Sequence, residues 1–219
     1  MSPPSRYAKL LNPQDARVFR ITHIDNVPWI LDHGLHCRSA GRFDPDFVSI
    51  GAEGLIDKRS RHRVPLPPGG TLSDYVPFYF TPWSMMLLNI KSGRHGVTKR
   101  PNEDIVIVGA LLPQLRVQGC RVLFPDGHAY MVQTRYFDDL SDLDQIDWTL
   151  LQRRDFAKDE NDIDKSRRYQ AEALVHGHVP LDALSAIACH NDARRDEVQR
   201  LVDERGLPLK VITRQGWYF

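Results

Sequence analysis

Apolar and polar positions change period several times along the chain, and each change predicts an element. Residues 18–24, VFRITHI, are β-branched and aromatic and read as a strand. Val27, Ile30 and Leu31 then recur at helical spacing, with Asp25 placed to cap the helix and Gly34 to stop it. Residues 74–80, DYVPFYF, predict a second strand, and TPWSMMLLNIKSG continues into a helix ending near Gly93. IVIVGALL at 105–112 has the near-continuous apolar character of a buried strand. RVLF and YMVQTRYF flank an Asp-Gly turn and predict a hairpin. YQAEALVHG, SAIACH and LKVITR are further strand candidates, and Val198, Leu201 and Val202 mark one face of a helix before the last of them. The class these elements imply is α+β, with six or so strands and few helices. Between residues 35 and 70 the pattern dissolves into short patches broken by glycines and PLPPGG, too long a stretch for an ordinary connection and therefore of the functional or mobile kind.

The composition does not alter this picture but bounds it. At 219 residues, 42% hydrophobic and 26% charged, the chain can bury a core as one domain spanning 1–219, which argues against disorder and fibrous classes. Cys37, Cys120 and Cys189 are far apart and form no metal-ligand spacing, so neither a disulfide scaffold nor a metal site is expected, and a reducing compartment fits. The apolar blocks are strand-sized and MSPPSRYAKLLNP lacks the basic and apolar regions of a secretory signal. A cytoplasmic protein without a membrane span is expected.

Charge changes the picture more. The total, 29 Lys and Arg against 28 Asp and Glu, excludes a general polyanion coater. Between Arg38 and Arg100, however, ten basic residues face five acidic ones. Arg153, Arg154, Lys158, Lys165, Arg167 and Arg168 form a second basic group in the charged segment 149–168. Such clusters either bind phosphates in a shared groove or form a solvated face.

P-loop, dinucleotide-fingerprint, zincin and hydrolase-elbow motifs are absent from the sequence, so other chemistry must be sought. Glu172 is a carboxylate in an otherwise apolar strand, with Gln170 two residues before it and so on the same face. It is either an edge residue paired with a nearby arginine or a group facing a cleft, where it could stabilise a developing cation and act as a base. His23, at the end of the first strand, either reaches a site or serves as a structural hydrogen-bonding group. The block Lys58-Arg59-Ser60-Arg61-His62-Arg63, within the irregular stretch, suits phosphate contacts or forms a solvated basic loop. Tyr75, Phe78, Tyr79, Phe80 and Trp83 supply core or a platform for a flat ring.

In this order, ITHIDNVPWILDHG, LIDKRSRHRVP, LSDYVPFYFTPWSMML, the IDW of Ile146 to Trp148 and RRYQAEALVHGHVP resemble the DarT family of DNA ADP-ribosyltransferase toxins, over about residues 19–184. The resemblance implies a diphtheria-toxin and PARP-like fold, a split central sheet whose cleft binds NAD. It implies transfer of ADP-ribose onto a base of single-stranded DNA, most often thymidine, blocking replication, and a partner macrodomain antitoxin, DarG, that reverses the modification. Glu172 matches the catalytic glutamate, which would stabilise oxocarbenium character at the ribose, with Gln170 in a Gln-x-Glu spacing and among the residues that would bind DNA. Thr22 and His23 match a pair holding the ribose and the nicotinamide amide. Arg59, or Arg61 nearby, matches the arginine that orients NAD, and Tyr79 belongs to the cofactor side. Residues 38–57 correspond to a lid over NAD, and 153–169 to the loop that meets DNA, carrying Arg153, Arg154, Arg167 and Arg168. The family's PRSPMLY block reads Pro82-Trp83-Ser84-Met85-Met86-Leu87-Leu88 here, so an arginine and a tyrosine of the base contacts are replaced. A monomer using NAD as substrate is expected. Guanosine in DNA, RNA or protein as acceptor, or a nucleic-acid-binding module with weak turnover, are the alternatives.

Overall fold

The computed structural model describes residues 7–219; the first six residues of the N-terminal stretch discussed above lie outside the described region. The strands are β1 (Arg17–His23), β2 (Leu35–His36), β3 (Tyr75–Tyr79), β4 (Ile105–Leu111), β5 (Val122–Pro125), β6 (Tyr136–Phe137), β7 (Glu172–His176), β8 (His178–Val179), β9 (Leu184–Cys189) and β10 (Lys210–Thr213). Eight of them form one sheet in the order β10-β9-β4-β1-β3-β7-β5-β6, and β2 pairs with β8 beside it. The helices are α1 (Val27–His33), α2 (Glu53–Arg61), α3 (Met85–Ser92), α4 (Leu112–Val117), α5 (Trp148–Arg153), α6 (Lys165–Arg168) and α7 (Asp192–Glu204). All neighbours in the large sheet run antiparallel except β9 and β10, which are parallel and joined through α7.

The sheet is split between β1 and β3. β1 pairs with β4 over its full length, from Arg17–Leu111 to His23–Ile105, whereas on its other side it meets β3 at Phe19–Tyr79 alone. Pro77 explains part of this. The carbonyl of Pro77 accepts from the Arg20 guanidinium at 3.0 Å, so that edge of β3 faces β1; the amide nitrogen of a strand residue points to the same edge as its carbonyl, and in Pro77 it carries no proton. The position cannot donate to a β1 ladder, and the strands diverge there.

The core lies on both sides of the split. Phe78, Phe80, Trp83 and Phe124 are fully buried, and Phe80 makes edge contacts with Phe124 and Trp148 at 6.4 and 5.4 Å between ring centroids. Much of the aromatic block is thus core, while Tyr79 stays half-buried. The Trp83 indole donates to the Gly216 carbonyl at 2.8 Å, and the Tyr218 hydroxyl lies 3.0 and 2.9 Å from the carbonyls of Ile105 and Ala188, stitching the last turn to the sheet. No helix among the described residues is long and apolar enough to cross a membrane.

Several local expectations are corrected. Asp25 does not cap α1: a single 3-10 turn, Ile24–Asn26, intervenes, with His23 at its N-cap, and the chain enters α1 already helical with Pro28 in its first turn. The hairpin exists, but β5 and β6 pair only at Phe124–Phe137 and Pro125–Tyr136, so residues 126–135 form a wide loop instead of a two-residue turn. The strand at Glu172 begins with that residue; Gln170 sits on the preceding turn, donates to the Ser166 carbonyl at 2.9 Å, and shares no strand face with Glu172. The KRSRHR block is not a loop, since Lys58 to Arg61 complete α2. Ser84 caps α3 by accepting from the Leu87 amide at 3.2 Å, and Gly93 ends it in the left-handed region, as the sequence predicts.

Truncating Phe80 to Ala removes a fully buried ring beside two other aromatics and is expected to cost about 3–5 kcal/mol. The midpoint of urea unfolding, compared with wild type at an unchanged slope, measures it.

Candidate active site

A cavity of about 510 Å³ opens at the split. Its walls come from β1 (Arg20, Thr22), β3 (Tyr79), α2 (Leu55, Arg59) and the start of β7 (Glu172), and it is the size of ordinary small-molecule sites. Glu172 lies on the central strand β7, between β3 and β5, and is 2% exposed. It is therefore not an edge residue. It nonetheless pairs with an arginine: Arg59 Nη1 donates to Oε1 at 3.2 Å and Nη2 lies 3.0 Å from Oε2. Oε1 also accepts the backbone N–H of Ala129 at 2.9 Å and lies 3.3 Å from His128 Nδ1. Burial opposes ionisation of this carboxyl, but the Arg59 charge, followed by the His128 contact, outweighs it and holds the group at about 2. One oxygen is surrounded, while Oε2 has Arg59 as its charged neighbour.

Helical spacing selects Arg59 over Arg61. Leu55, Ile56 and Arg59 line the cavity together, whereas Arg61 points outward and pairs with Asp57 at 2.7 Å. The Tyr79 phenol is pushed up to about 12 by burial, helped by Glu172 and opposed by Arg59 and Arg20. Arg20 reaches into the crease where β1 leaves β3; burial, with Arg59 adding to it, brings its guanidinium down to about 10, although Tyr79 acts the other way. Its buried Nε has no hydrogen-bond partner.

The segment over the cavity is held by an amide clamp. Asn26, 1% exposed, donates from Nδ2 to the Val48 carbonyl at 3.0 Å and accepts the Val48 N–H on Oδ1 at 2.8 Å, while Nδ2 also lies 2.9 Å from Thr22 Oγ1. Thr22 lines the cavity and orients Asn26. His23 is not among the cavity-lining residues: its ring nitrogens contact Asp25 and, at 3.3 Å, the Arg100 guanidinium, and burial lowers its pKa. Within 38–57, Arg38, Arg42, Phe43 and Phe47 line the opening, and Arg42 Nη2 reaches His33 Nδ1 at 3.0 Å.

The basic residues of 153–169 divide into two groups. Arg153 is exposed. Arg154, in the left-handed region at φ 53°, lays its guanidinium over Trp83 and Phe219, 4.5 and 5.4 Å from the ring centroids. Arg167 and Arg168 are instead engaged by aspartates: Arg167 by Asp126 and Asp164, Arg168 by Asp147, Asp162 and Asp164. Arg20, Asn26, His128 and Ala129 were not singled out in the sequence. Asn26 and Arg20 flank the quoted strand-end pattern, but only the wide loop shape brings His128 and the Ala129 N–H to Glu172.

The cleft in the split sheet, with a buried Glu–Arg pair at its floor and an unpartnered Arg20 nitrogen beside it, has the charge and size to take an anionic small molecule. Arg20 and Arg59 suit a diphosphate, and the tyrosine and aliphatic walls suit flat rings. Residues 19–219 match the family described as ssDNA thymidine ADP-ribosyltransferase, DarT, and the chain belongs to that family. It is similar to the DNA ADP-ribosyl transferase of Escherichia coli O127:H6 (strain E2348/69), 48% identical over 213 residues, covering 97% of this chain and 98% of that protein. The structure superposes on Thermus sp. 2.9 DarT in complex with ADP-ribosylated ssDNA with a TM-score of 0.86 at 31% identity, covering 94% and 98% of the two chains. The same enzyme in complex with NAD+ gives 0.83, covering 94% and 99%. The protein is accordingly a DNA ADP-ribosyltransferase with NAD as its substrate, and its fold is the split-sheet ADP-ribosyltransferase fold.

Replacing Arg59 by Met leaves the Glu172 carboxylate buried without its countercharge and is expected to cost about 3–5 kcal/mol at pH 7. In wild type the carboxyl's contribution is complete above its ordinary value of 4.5 and is lost as pH falls toward about 2. In the variant its folded pKa rises, so acid relieves the buried charge, and the stability gap between the two proteins narrows from pH 7 to pH 4 in parallel urea titrations.

Proposed function

We propose that the chain transfers ADP-ribose from NAD to thymidine in single-stranded DNA, as the toxin of a pair whose antitoxin is a DarG-type macrodomain, and so blocks replication. The observation that carries the reading is Glu172: a buried, ionised carboxylate that lines the cavity, with Oε1 fixed by a backbone N–H and Oε2 beside Arg59. The family description, which specifies ssDNA and thymidine, and the Thermus sp. 2.9 DarT complex with ADP-ribosylated ssDNA support the acceptor. The antitoxin rests on the family resemblance.

NAD supplies the ADP-ribosyl group: the bond from the ribose anomeric carbon to nicotinamide breaks with its electron pair going to nicotinamide, and a bond to the ring nitrogen of the base forms. Glu172 Oε2 accepts a hydroxyl of that ribose and places negative charge beside the carbon as positive charge develops there. The ring-nitrogen proton of the base passes to the same carboxylate and on to solvent. Arg59 keeps Glu172 ionised and, with Arg20, faces the diphosphate. Thr22 acts through Asn26 on the segment 38–57, which covers NAD, and Tyr79 packs on the nicotinamide side. His23 supports the strand end from outside the cavity.

For DNA, Arg153 and Arg154 are the arginines of the 153–169 loop that no aspartate engages among the described residues. Arg154 is held flat on Trp83, the residue standing where the family usually has an arginine, and its guanidinium edge serves a phosphate while its rigidity reduces the entropy lost on binding.

Glu172→Gln is expected to abolish nicotinamide release and the ADP-ribose adduct on a thymidine-containing single strand, read by mass analysis after incubation with NAD, while leaving oligonucleotide binding within about twofold. Parallel strands lacking thymidine, an RNA strand and a protein extract identify the acceptor; label confined to RNA or protein overturns the DNA reading. Arg154→Ala is expected to weaken oligonucleotide binding and to lower the magnitude of its salt slope by about one.

A further inference from the structure

The backbone N–H and histidine that hold Glu172 both belong to the wide loop 126–135, and that loop is fixed by one half-buried arginine, Arg167. The Arg167 carbonyl accepts the His128 N–H at 3.0 Å. Its side chain is 10% exposed, and the guanidinium binds the carboxylate of Asp126 at one end of the loop and lies 3.3 Å from Thr134 Oγ1 near the other. Thr134 Oγ1 in turn donates to the His128 carbonyl at 2.8 Å. Asp126 is 4% exposed and also accepts from Arg135, through its N–H at 3.1 Å and its Nε at 3.0 Å. The remaining donors of Arg167 are spent on Asp164, Nε at 2.7 Å and Nη2 at 2.9 Å. The packing leaves no slack: a side-chain carbon at Gly127 would lie 2.5–2.9 Å from Arg167 atoms, its backbone carbonyl oxygen included.

All three nitrogens of this guanidinium donate within the protein, Nε and Nη2 to Asp164 and Nη1 to Asp126 and Thr134, so the group is largely committed there. It lies in α6, directly ahead of β7, and joins α6 to the loop that reaches over the end of β7. Ala129 sits at the far side of that loop, where its carbonyl accepts the Tyr136 hydroxyl at 2.5 Å while its N–H meets Glu172.

We propose that Arg167 is a positioning residue of the transferase reaction: by binding Asp126, Thr134 and the His128 N–H at once, it holds the Ala129 N–H and His128 against Oε1 of Glu172. This assigns Arg167 to the catalytic side of the molecule and takes it out of the DNA-contacting set. The inference rests on the reading of Glu172 given above.

The groups that face Glu172 are Arg59 from α2, His128 and the Ala129 N–H from the loop, Tyr79 from β3 and Tyr136 from β6. Loosening the loop removes two of these, both of which favour the carboxylate, and leaves Arg59 and the burial in place. The carboxyl then becomes less acidic.

The test compares wild type with Arg167→Lys and Asp126→Asn in steady-state transfer from NAD to a thymidine oligonucleotide between pH 4 and 8. Lysine keeps the charge but cannot bridge Asp126 and Asp164. Asparagine weakens the same joint from the loop side, so either variant alone suffices if the other fails to fold by circular dichroism. The expected result is a loss of about ten- to a hundredfold in kcat, with KM for NAD and oligonucleotide affinity within about twofold. In both variants kcat falls toward the acid end of this range, where wild type, with Glu172 still ionised, stays level. A weakened oligonucleotide affinity with a smaller salt slope and a wild-type pH profile makes Arg167 a DNA contact and overturns the proposal. Wild-type kcat with a wild-type pH profile in a folded variant overturns it as well. Glu172→Gln is run beside them: full turnover in that variant defeats the reading of Glu172, a failure separate from either outcome at Arg167.

Discussion

A carboxylate buried in the middle of a β-sheet is the constraint around which this molecule is organised. Glu172 begins a central strand, where a lone ionised group would cost several kcal/mol of desolvation. Arg59 answers that cost from α2, the Ala129 N–H and His128 answer it from a wide loop, and each must arrive from a different part of the chain. The three elements converge because the sheet opens beside them. A fully paired β1–β3 ladder would have filled the space that Arg59, Arg20 and Tyr79 occupy.

The opening is itself a matter of local chemistry. Pro77 withholds one donor from β3, and the carbonyl on the same edge is taken by Arg20 instead of by β1. An arginine thereby replaces part of a backbone ladder and becomes a wall of the cavity. The two guanidiniums in the crease, one neutralised by Glu172 and one with an unpartnered nitrogen, give the cleft a positive floor although the chain as a whole is nearly neutral. The surplus of basic residues between Arg38 and Arg100 is mostly a property of exposed faces; the charge at the floor of the site is Arg59 within that stretch and Arg20 outside it, with Arg38 and Arg42 at the opening.

The loop 153–169 follows the same economy. Of its basic side chains, Lys165, Arg167 and Arg168 are tied to aspartates, and Arg154 rests on aromatic rings. A charged segment that reads as weakly structured is in fact a lattice of ion pairs, with a short helix closing on β7. The counts of positive residues gave no hint of which would be paired, because pairing depends on where Asp126 and Asp147 lie in space.

Periodicity and turn chemistry by themselves determined the α+β class, the main strands, α3 with its end at Gly93 and the amphipathic α7, since those signals are local. His23 at a strand end, the KRSRHR block and Glu172 in its apolar strand stand out as candidates without any knowledge of the fold, whereas Thr22 and Arg59 as individual residues are what the family resemblance implies. The tertiary structure decided what locality cannot reach. It put Gln170 on a turn and His23 outside the cavity, turned Arg59 inward and Arg61 outward by folding their block into a helix, and brought Arg20, Asn26, His128 and the Ala129 N–H to the site from positions with no signature of their own. A buried charge is stabilised by whatever surrounds it in three dimensions, and a backbone N–H carries no residue name by which a sequence could announce it.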